Sequence, residues 1–304
     1  MKKKQSIGLV SLLMAFVLVI VGCGNEGARE AETEAEATET ELKEDWPTTL
    51  RFADTGLEGM EELQRAFGPF QEKLEEVLEV DVEFFPVSDR TIATNALEFD
   101  QVDIVLAGPS EYAQIKSAIP GVEPIVAIER DEYNAVIIVH EDSEYETLDD
   151  IKGSQIAMKD AGSTSGHIGP SAMLVEAGFD LDNDVEILLL DAARIEAFTN
   201  HEVDVLATGI KDYHSMVEED GEGKYRILEE GPPLPADPFV VSPNLPEDFV
   251  VEMQQRLLDN KDEIIESILS SGERDKYMSA RIIEILDSDY DLMRETYSVL
   301  GIDL

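Results

Sequence analysis

From Leu50 onward, short apolar runs alternate with longer stretches in which apolar residues recur every third or fourth position. Leu50-Arg51-Phe52-Ala53 reads as a first strand. Met60, Leu63, Phe67, Phe70, Leu74 and Leu78 then make a stripe at helical spacing, the mark of a helix that buries one face. Gly68-Pro69 lies inside that stripe and should kink or divide the helix, because proline lacks the N–H and crowds the preceding turn. Val80 to Phe85 is a second strand, and helical residues from Ile92 to Phe99 lead into a third, Val102 to Leu106. Further strands are expected at 125–128, 135–139, 155–158, 186–190 and 203–207, with helices between most of them. The stretch from Pro246 to Leu300 reads as almost all helix. This alternation argues an α/β architecture with mostly parallel sheets. Ligands in such sheets sit beyond the strand carboxyl ends, where loops lead into helices, so candidate chemistry belongs in those loops.

The first 45 residues follow another pattern. Lys2, Lys3 and Lys4 precede an apolar run from Ile7 to Gly22, whose 16 residues fall short of the ~20 that span a bilayer. A basic start and a short apolar run are the plan of a secretory signal, assigned here to residues 1–22. Its end, Ile20-Val21-Gly22-Cys23, resembles the lipobox of bacterial lipoproteins, where a diacylglycerol is joined to the cysteine and cleavage falls just before it. The resemblance implies a lipid on Cys23 and a chain held to the cell membrane from outside the cytoplasm. Residues 23–45 read as an acidic flexible tether. They are mostly Ala, Glu and Thr after Glu30, with no apolar face to bury and with like charges that extend the chain.

Composition narrows the partners. Asp and Glu number 67 against 23 Lys and Arg, a formal charge of −44. From Trp46 on, 58 acids still face 18 bases, so the acidity belongs to the folded part. Nucleic acid is a poor partner for such a surface, since binding it rests on neutralising phosphates with Lys and Arg. The single cysteine excludes an intramolecular disulfide and a thiolate-based zinc site. His140, His167, His201 and His214 show no metal spacing, and no cofactor is expected.

Two loops stand out. Leu106-Ala107-Gly108-Pro109-Ser110-Glu111-Tyr112 follows the third strand and places Tyr112 on the first turn of the next helix. Asp160-Ala161-Gly162-Ser163-Thr164-Ser165-Gly166-His167 follows the strand at 155–158 and precedes a helix from Ile168 to Ala177, closed by Gly178. Three hydroxyl residues between glycines at a helix start suit an oxyanion. Backbone N–H groups and the positive helix end point at it, and hydroxyls donate from the rim. Such a site needs no basic residue. His167, two residues past Ser165, is a further candidate contact.

These residues resemble the phosphonate- and phosphite-binding lipoproteins of ABC importers, within the type 2 periplasmic-binding-protein fold. The likeness runs from about Leu50 to about Leu258 through ordered blocks. They are Val102-Asp103-Ile104 with Gly108-Pro109-Ser110-Glu111-Tyr112, Leu148 to Gly153, Gly162 to Gly166, Glu202-Val203-Asp204, and Pro233 to Pro238 with Val240-Val241. The resemblance implies two α/β lobes, each a mostly parallel sheet flanked by helices, joined by two crossing strands near Ala135–His140 and Phe239–Ser242. Residues 46–134 with 240–304 would form one lobe and 135–239 the other. It further implies that Ser163, Thr164 and Ser165 hold the oxyanion and that Tyr112 reaches it. The family's usual histidine is absent from Leu190-Asp191-Ala192-Ala193-Arg194, and its usual acid is missing or displaced to Asp212, leaving Thr208 and Tyr213 as substitutes. Arg194 or Lys211 would suit a more highly charged anion such as phosphate.

Enzyme readings find little support. Thr164, not serine, stands at the centre of Gly162 to Gly166, and neither a P-loop nor an H-E-x-x-H motif is present. The expected activity is therefore capture of a phosphonate, phosphite or phosphate by a monomer, and delivery to an ABC permease whose ATPase supplies the energy. The same fold serving a sensor, or binding a different small anion, and more remotely an exported hydrolase, are the alternatives. A net-negative field repels such a ligand, less so in strong salt, where the Debye length is ~3 Å at 1 M. The acidity is accordingly expected to reflect a salty, or else an alkaline, medium.

Overall fold

Side chains along each central strand point alternately to two buried faces, and helices cover both faces. The computed structural model describes residues 45–304 except 57, 58 and 91. The signal segment, Cys23 and the tether up to residue 44 lie outside the described residues.

Six strands form a first sheet: β1 (Thr49–Asp54), β2 (Asp81–Phe84), β3 (Ile104–Leu106), β4 (Glu123–Glu129), β10 (Asp237–Val241) and β11 (Arg281–Ile283). Their spatial order is β11-β4-β10-β3-β1-β2. On one face Leu50, Phe52, Ile104 and Leu106 meet α1 (Met60–Leu78), α7 (Glu247–Asp259) and α8 (Lys261–Leu269). Phe52 packs against Phe67, Phe70 and Phe84 with ring centroids 5.3–6.0 Å apart. On the other face Ala53 and Val105 meet α2 (Ile92–Glu98) and α3 (Pro109–Ala118). The helix α1 runs unbroken through Pro69, so the expected division does not occur.

The second sheet contains β5 (Asn134–His140), β6 (Gln155–Met158), β7 (Glu186–Leu189), β8 (Val205–Gly209) and β9 (Tyr225–Pro233), in the order β7-β6-β8-β5-β9. Ala135, Ile137 and Val139 face α4 (Gly169–Glu176), while Val136 and Ile138 face α5 (Arg194–Thr199) and α6 (Ile210–Asp220). Gly178, at φ 89°, follows α4, and its N–H bonds the Val175 carbonyl, so the expected glycine stop is present.

Both sheets are mixed, which corrects the expectation of mostly parallel ones. The pairs β1–β2, β1–β3, β6–β7 and β6–β8 are parallel; β10 pairs antiparallel with β3 and β4, and β5 with β8 and β9. The reason is connectivity. The chain crosses between sheets after Glu129 and returns after Pro233, and each crossing brings a strand in against the local direction. Ala135–His140 and Phe239–Ser242 are thus strands within sheets, just past the crossings. The pattern also missed β9 and β11. Residues 225–233 end in Gly-Pro-Pro, which an edge strand tolerates, and β11 is a three-residue edge in a helical region.

A last helix, α9 (Asp291–Val299), bridges the halves, where Met293 and Tyr297 pack with Ala113 and Ile168. Replacing Phe52 with Ala should lower stability by about 3–5 kcal/mol, as for a fully buried aromatic. Urea denaturation checks this, and a loss under about 1 kcal/mol would show that the aromatic cluster is not the core of this sheet.

Candidate functional site

Loops from both sheets converge on a partly open cavity of about 200 Å³. From the second sheet, β6 ends at Met158 and the chain turns through Lys159, Asp160 and Gly162 into a π-helical turn over 164–168. Ser163, Thr164, Ser165 and Gly166 line the cavity. Among the described residues, no hydrogen bond begins at the N–H of Thr164, Ser165 or Gly166, which are first-turn donors without a helical partner. The arrangement is that of a ready oxyanion seat.

The opposite wall comes from the start of α3. Thr164 Oγ1 accepts from the Ser110 N–H at 3.1 Å and lies 2.7 Å from Ser110 Oγ. Ser110 Oγ is also 2.7 Å from the Gly162 carbonyl. A side chain at Gly108 would collide with the Glu111 carboxylate and approach Thr164 Oγ1, so only glycine lets the two walls meet. Arg90 completes the contact, donating to Glu111 at 2.5 Å and to both oxygens of Asp160 at 2.5 and 3.1 Å. Lys211 Nζ, from the second-sheet side, donates to the carbonyls of Lys276 and Met278 at 3.2 Å each. The lobes are therefore closed on each other.

Seven cations line the cavity: Arg90, Arg130, Lys159, Arg194, Lys211, Arg274 and Lys276. That is seven of the 18 bases from Trp46 on, although the hydroxyl loop was expected to need none, and of the seven the sequence named only Arg194 and Lys211. Carboxylates hold most of them. Arg130 takes Asp237 with two nitrogens at 3.0 and 2.5 Å, and Arg274 meets Asp54 at 3.2 Å. Arg194 donates to Asp212 at 2.5 Å and to Thr208 Oγ1 at 3.1 Å. Burial alone would raise the Asp237 carboxyl, but Arg130 and Lys276 hold it below the usual range. Burial pushes Lys159 below its usual value, and neighbouring Arg194 and Arg90 push the same way. Such lysines gain most from an arriving anion.

The predicted site residues separate. Ser163, Thr164, Ser165 and Thr208 line the cavity, as does Asp212. Three candidates do not, and their expected ligand roles are corrected. Tyr112 is fully buried; its hydroxyl donates to Asp287 at 2.6 Å and its ring packs 4.4 Å from Tyr290. Helical phase explains this: Glu111 faces the cavity, and Tyr112 lies about 100° further round α3. Tyr213 stands in the same relation to Asp212 on α6, packing in the second-sheet core with its hydroxyl toward the Tyr225 carbonyl. His167 turns inward, and its Nδ1 accepts from the Gly162 N–H at 3.1 Å, bracing the loop from behind. Missed altogether were Arg90, Arg130, Lys159, Arg274, Lys276 and Asp237. Lys159 and Arg130 stand directly after β6 and β4, so the strand-end rule that found the serines applies to them as well.

Two α/β lobes closed on a polar cavity define a binding protein of the type 2 periplasmic kind. Residues 58–290 match the family described as the phosphonate ABC transporter periplasmic substrate-binding protein. The chain belongs to that family, whose members act outside the cytoplasm as substrate-binding components of transporters. A phosphate-import protein of Mycolicibacterium smegmatis is 28% identical over 143 residues, 44% of each chain. A probable ABC transporter phosphite-binding protein of Prochlorococcus marinus is 25% identical over 144 residues, 44% of this chain and 48% of that one. The chain spans about half the length of these curated relatives. The solved structure of PhnD1 from Prochlorococcus marinus, in complex with methylphosphonate, shares the fold with a TM-score of 0.69, 19% identity, and coverage of 84% of this chain and 99% of that one. Among the described residues no helix is long and apolar enough to cross a membrane.

Burial holds His167 below its usual pKa, and it does the same to His140. The unfolded chain takes up protons near pH 6.5 that the folded chain declines. Both residues thus contribute stability that is present above about pH 6.5 and lost as pH falls through their folded values. His167→Asn should therefore lose less melting temperature than the wild type between pH 7.5 and 5. Equal losses in thermal melts would contradict this reading of His167.

Proposed function

We propose that this chain is the solute-binding lipoprotein of an ABC importer that captures a small phosphorus oxyanion, namely a phosphonate, phosphite or phosphate. The observation that carries the reading is the seat at Ser163, Thr164 and Ser165, with three first-turn N–H groups free beside Lys159 in the cavity. The hydroxyls and N–H groups orient the oxygens, and the surrounding cations offset their charge. Closure brings Ser110, Glu111 and Arg90 against the loop, so that a bound anion would be enclosed on both sides.

The chemistry supports binding without turnover. A nucleophilic serine or threonine needs a base within hydrogen-bond reach. His167 spends its Nδ1 on the Gly162 N–H, and the Thr164 hydroxyl is engaged by Ser110 and Glu111. On this reading the protein acts as a monomer, a lipid on Cys23 holds it to the membrane outside the cytoplasm, and the closed lobes present the ligand to a permease. The net-negative exterior suits a salty medium, where the field that repels an anion is screened within a few ångströms.

Titration with phosphonate, phosphite or phosphate at millimolar concentration should raise the melting temperature of the chain, since a ligand that binds only the folded state stabilises it. The double substitution of Ser163 and Thr164 by Ala should abolish the rise. No rise with any of the three anions would overturn the oxyanion reading, and a rise surviving the double substitution would move the seat elsewhere.

A further inference from the structure

The cations of the cavity form two centres. Around the oxyanion seat, Arg90 pairs with Glu111 and Asp160 and Arg194 with Asp212, while Asp191 and Asp160 act on Lys159, so carboxylates are not in deficit there. On the first-sheet side, Arg130, Arg274 and Lys276 pair among the described residues with Asp54 and Asp237, while Lys211 and Glu132 border the same cavity. Asp54 and Asp237 are almost fully buried, and so is Arg274. Asp237 already accepts two nitrogens of Arg130 and the Tyr277 hydroxyl at 2.9 Å, and Lys276 comes no nearer to it than 3.6 Å. Arg274 meets Asp54 through a single nitrogen, and its Nε is buried with no partner. Among the described residues these pairs leave one cation in excess and one buried donor unpaired, at a cavity wall where the Lys276 side chain is 34% exposed.

A cation without a matching carboxylate gains from an incoming anion. Burial of its surroundings, reinforced by Arg274, holds Lys276 below the usual lysine range, although the side chain itself is 34% exposed. The charges that act most strongly on Lys276 are Arg274, Asp237, Arg130 and Asp54; those on Lys159 are Arg194, Arg90, Asp191 and Asp160. The two sets share no member, so each lysine is governed chiefly by its own neighbours while both border one cavity. At about 30 Å³ per water, the cavity volume of about 200 Å³ has room for roughly six or seven waters, more than a bare tetrahedral oxyanion displaces.

We infer that the ligand carries two anionic groups, a phosphonate or phosphate seated on Ser163, Thr164 and Ser165 and a second acid, such as a carboxylate, paired with Lys276 and Arg274. The inference rests on the phosphorus-oxyanion reading and narrows it. A ligand with a positive second group would instead bring its charge against three cations.

Calorimetric titration of the full chain at pH 8.5 with phosphonoacetate, methylphosphonate and 2-aminoethylphosphonate tests it. Phosphonoacetate should bind at least tenfold more tightly than methylphosphonate, and 2-aminoethylphosphonate more weakly than either. Lys276→Met should pull the ratio of the first two toward one, and Lys276→Arg should keep it. Equal affinities for phosphonoacetate and methylphosphonate, or a ratio that Lys276→Met leaves unchanged, would overturn the two-anion ligand while leaving the oxyanion seat in place. Failure of all three compounds to bind would overturn the seat itself, and the two-anion ligand with it.

Discussion

The ion pair between Arg130 and Asp237 is the constraint on which the site depends. Arg130 follows β4, where the chain first leaves the first sheet, and Asp237 opens β10, where it returns. Their two-point contact ties both crossings together at the floor of the cavity. The guanidinium also lies 3.6 Å over the Tyr133 ring, and the Tyr277 hydroxyl completes the carboxylate. With Asp237 1% exposed, removal of either partner leaves the other buried and uncompensated, a loss of about 3–5 kcal/mol. The same pair fixes where Lys276 and Arg274 stand, because Lys276 shares Asp237 and Arg274 is held on neighbouring Asp54.

On the proposed reading, this arrangement would let a chain of net charge −44 receive an anion. The long-range field is unfavourable, but only charges inside the cavity act without screening. Seven cations gathered there reverse the local sign, and carboxylates such as Asp54 and Asp237 hold them in place so that little reorganisation accompanies binding. The hydroxyl loop then supplies direction: Ser163, Thr164 and Ser165 aim neutral donors where oxygens must lie. Charge sets the strength of binding and the loop sets its geometry.

The α/β architecture was legible because α1 and the central strands each bury regular faces, visible as periods of about three and a half or two. That the loop Gly162 to Gly166 lines the cavity was legible because it is contiguous and follows a strand. Arg194 and Lys211 were named and Lys159 and Arg130 stand at strand ends, but the cation cluster as a whole was not legible, since its members come from segments spread over 187 positions that only the two crossings bring together. Tyr112, Tyr213 and His167 failed for a different reason. Each is adjacent in sequence to the site, yet one residue on a helix turns a side chain by about 100°, enough to move it from the cavity to the core. The resemblance to phosphonate-binding proteins supplied the lobes, while the sheet directions and the charged lining required the coordinates.

If cations rather than hydroxyls neutralise the ligand, binding must draw protons onto lysines whose pKa values are lowered by burial, Lys276 above all. At pH 9.5 methylphosphonate is fully ionised, so any protons taken up come to the protein. Calorimetric titration at that pH, in buffers of differing ionisation enthalpy, should therefore report net proton uptake per methylphosphonate bound. Binding with no proton uptake would contradict a cation-lined site and return the anion to the hydroxyl loop alone.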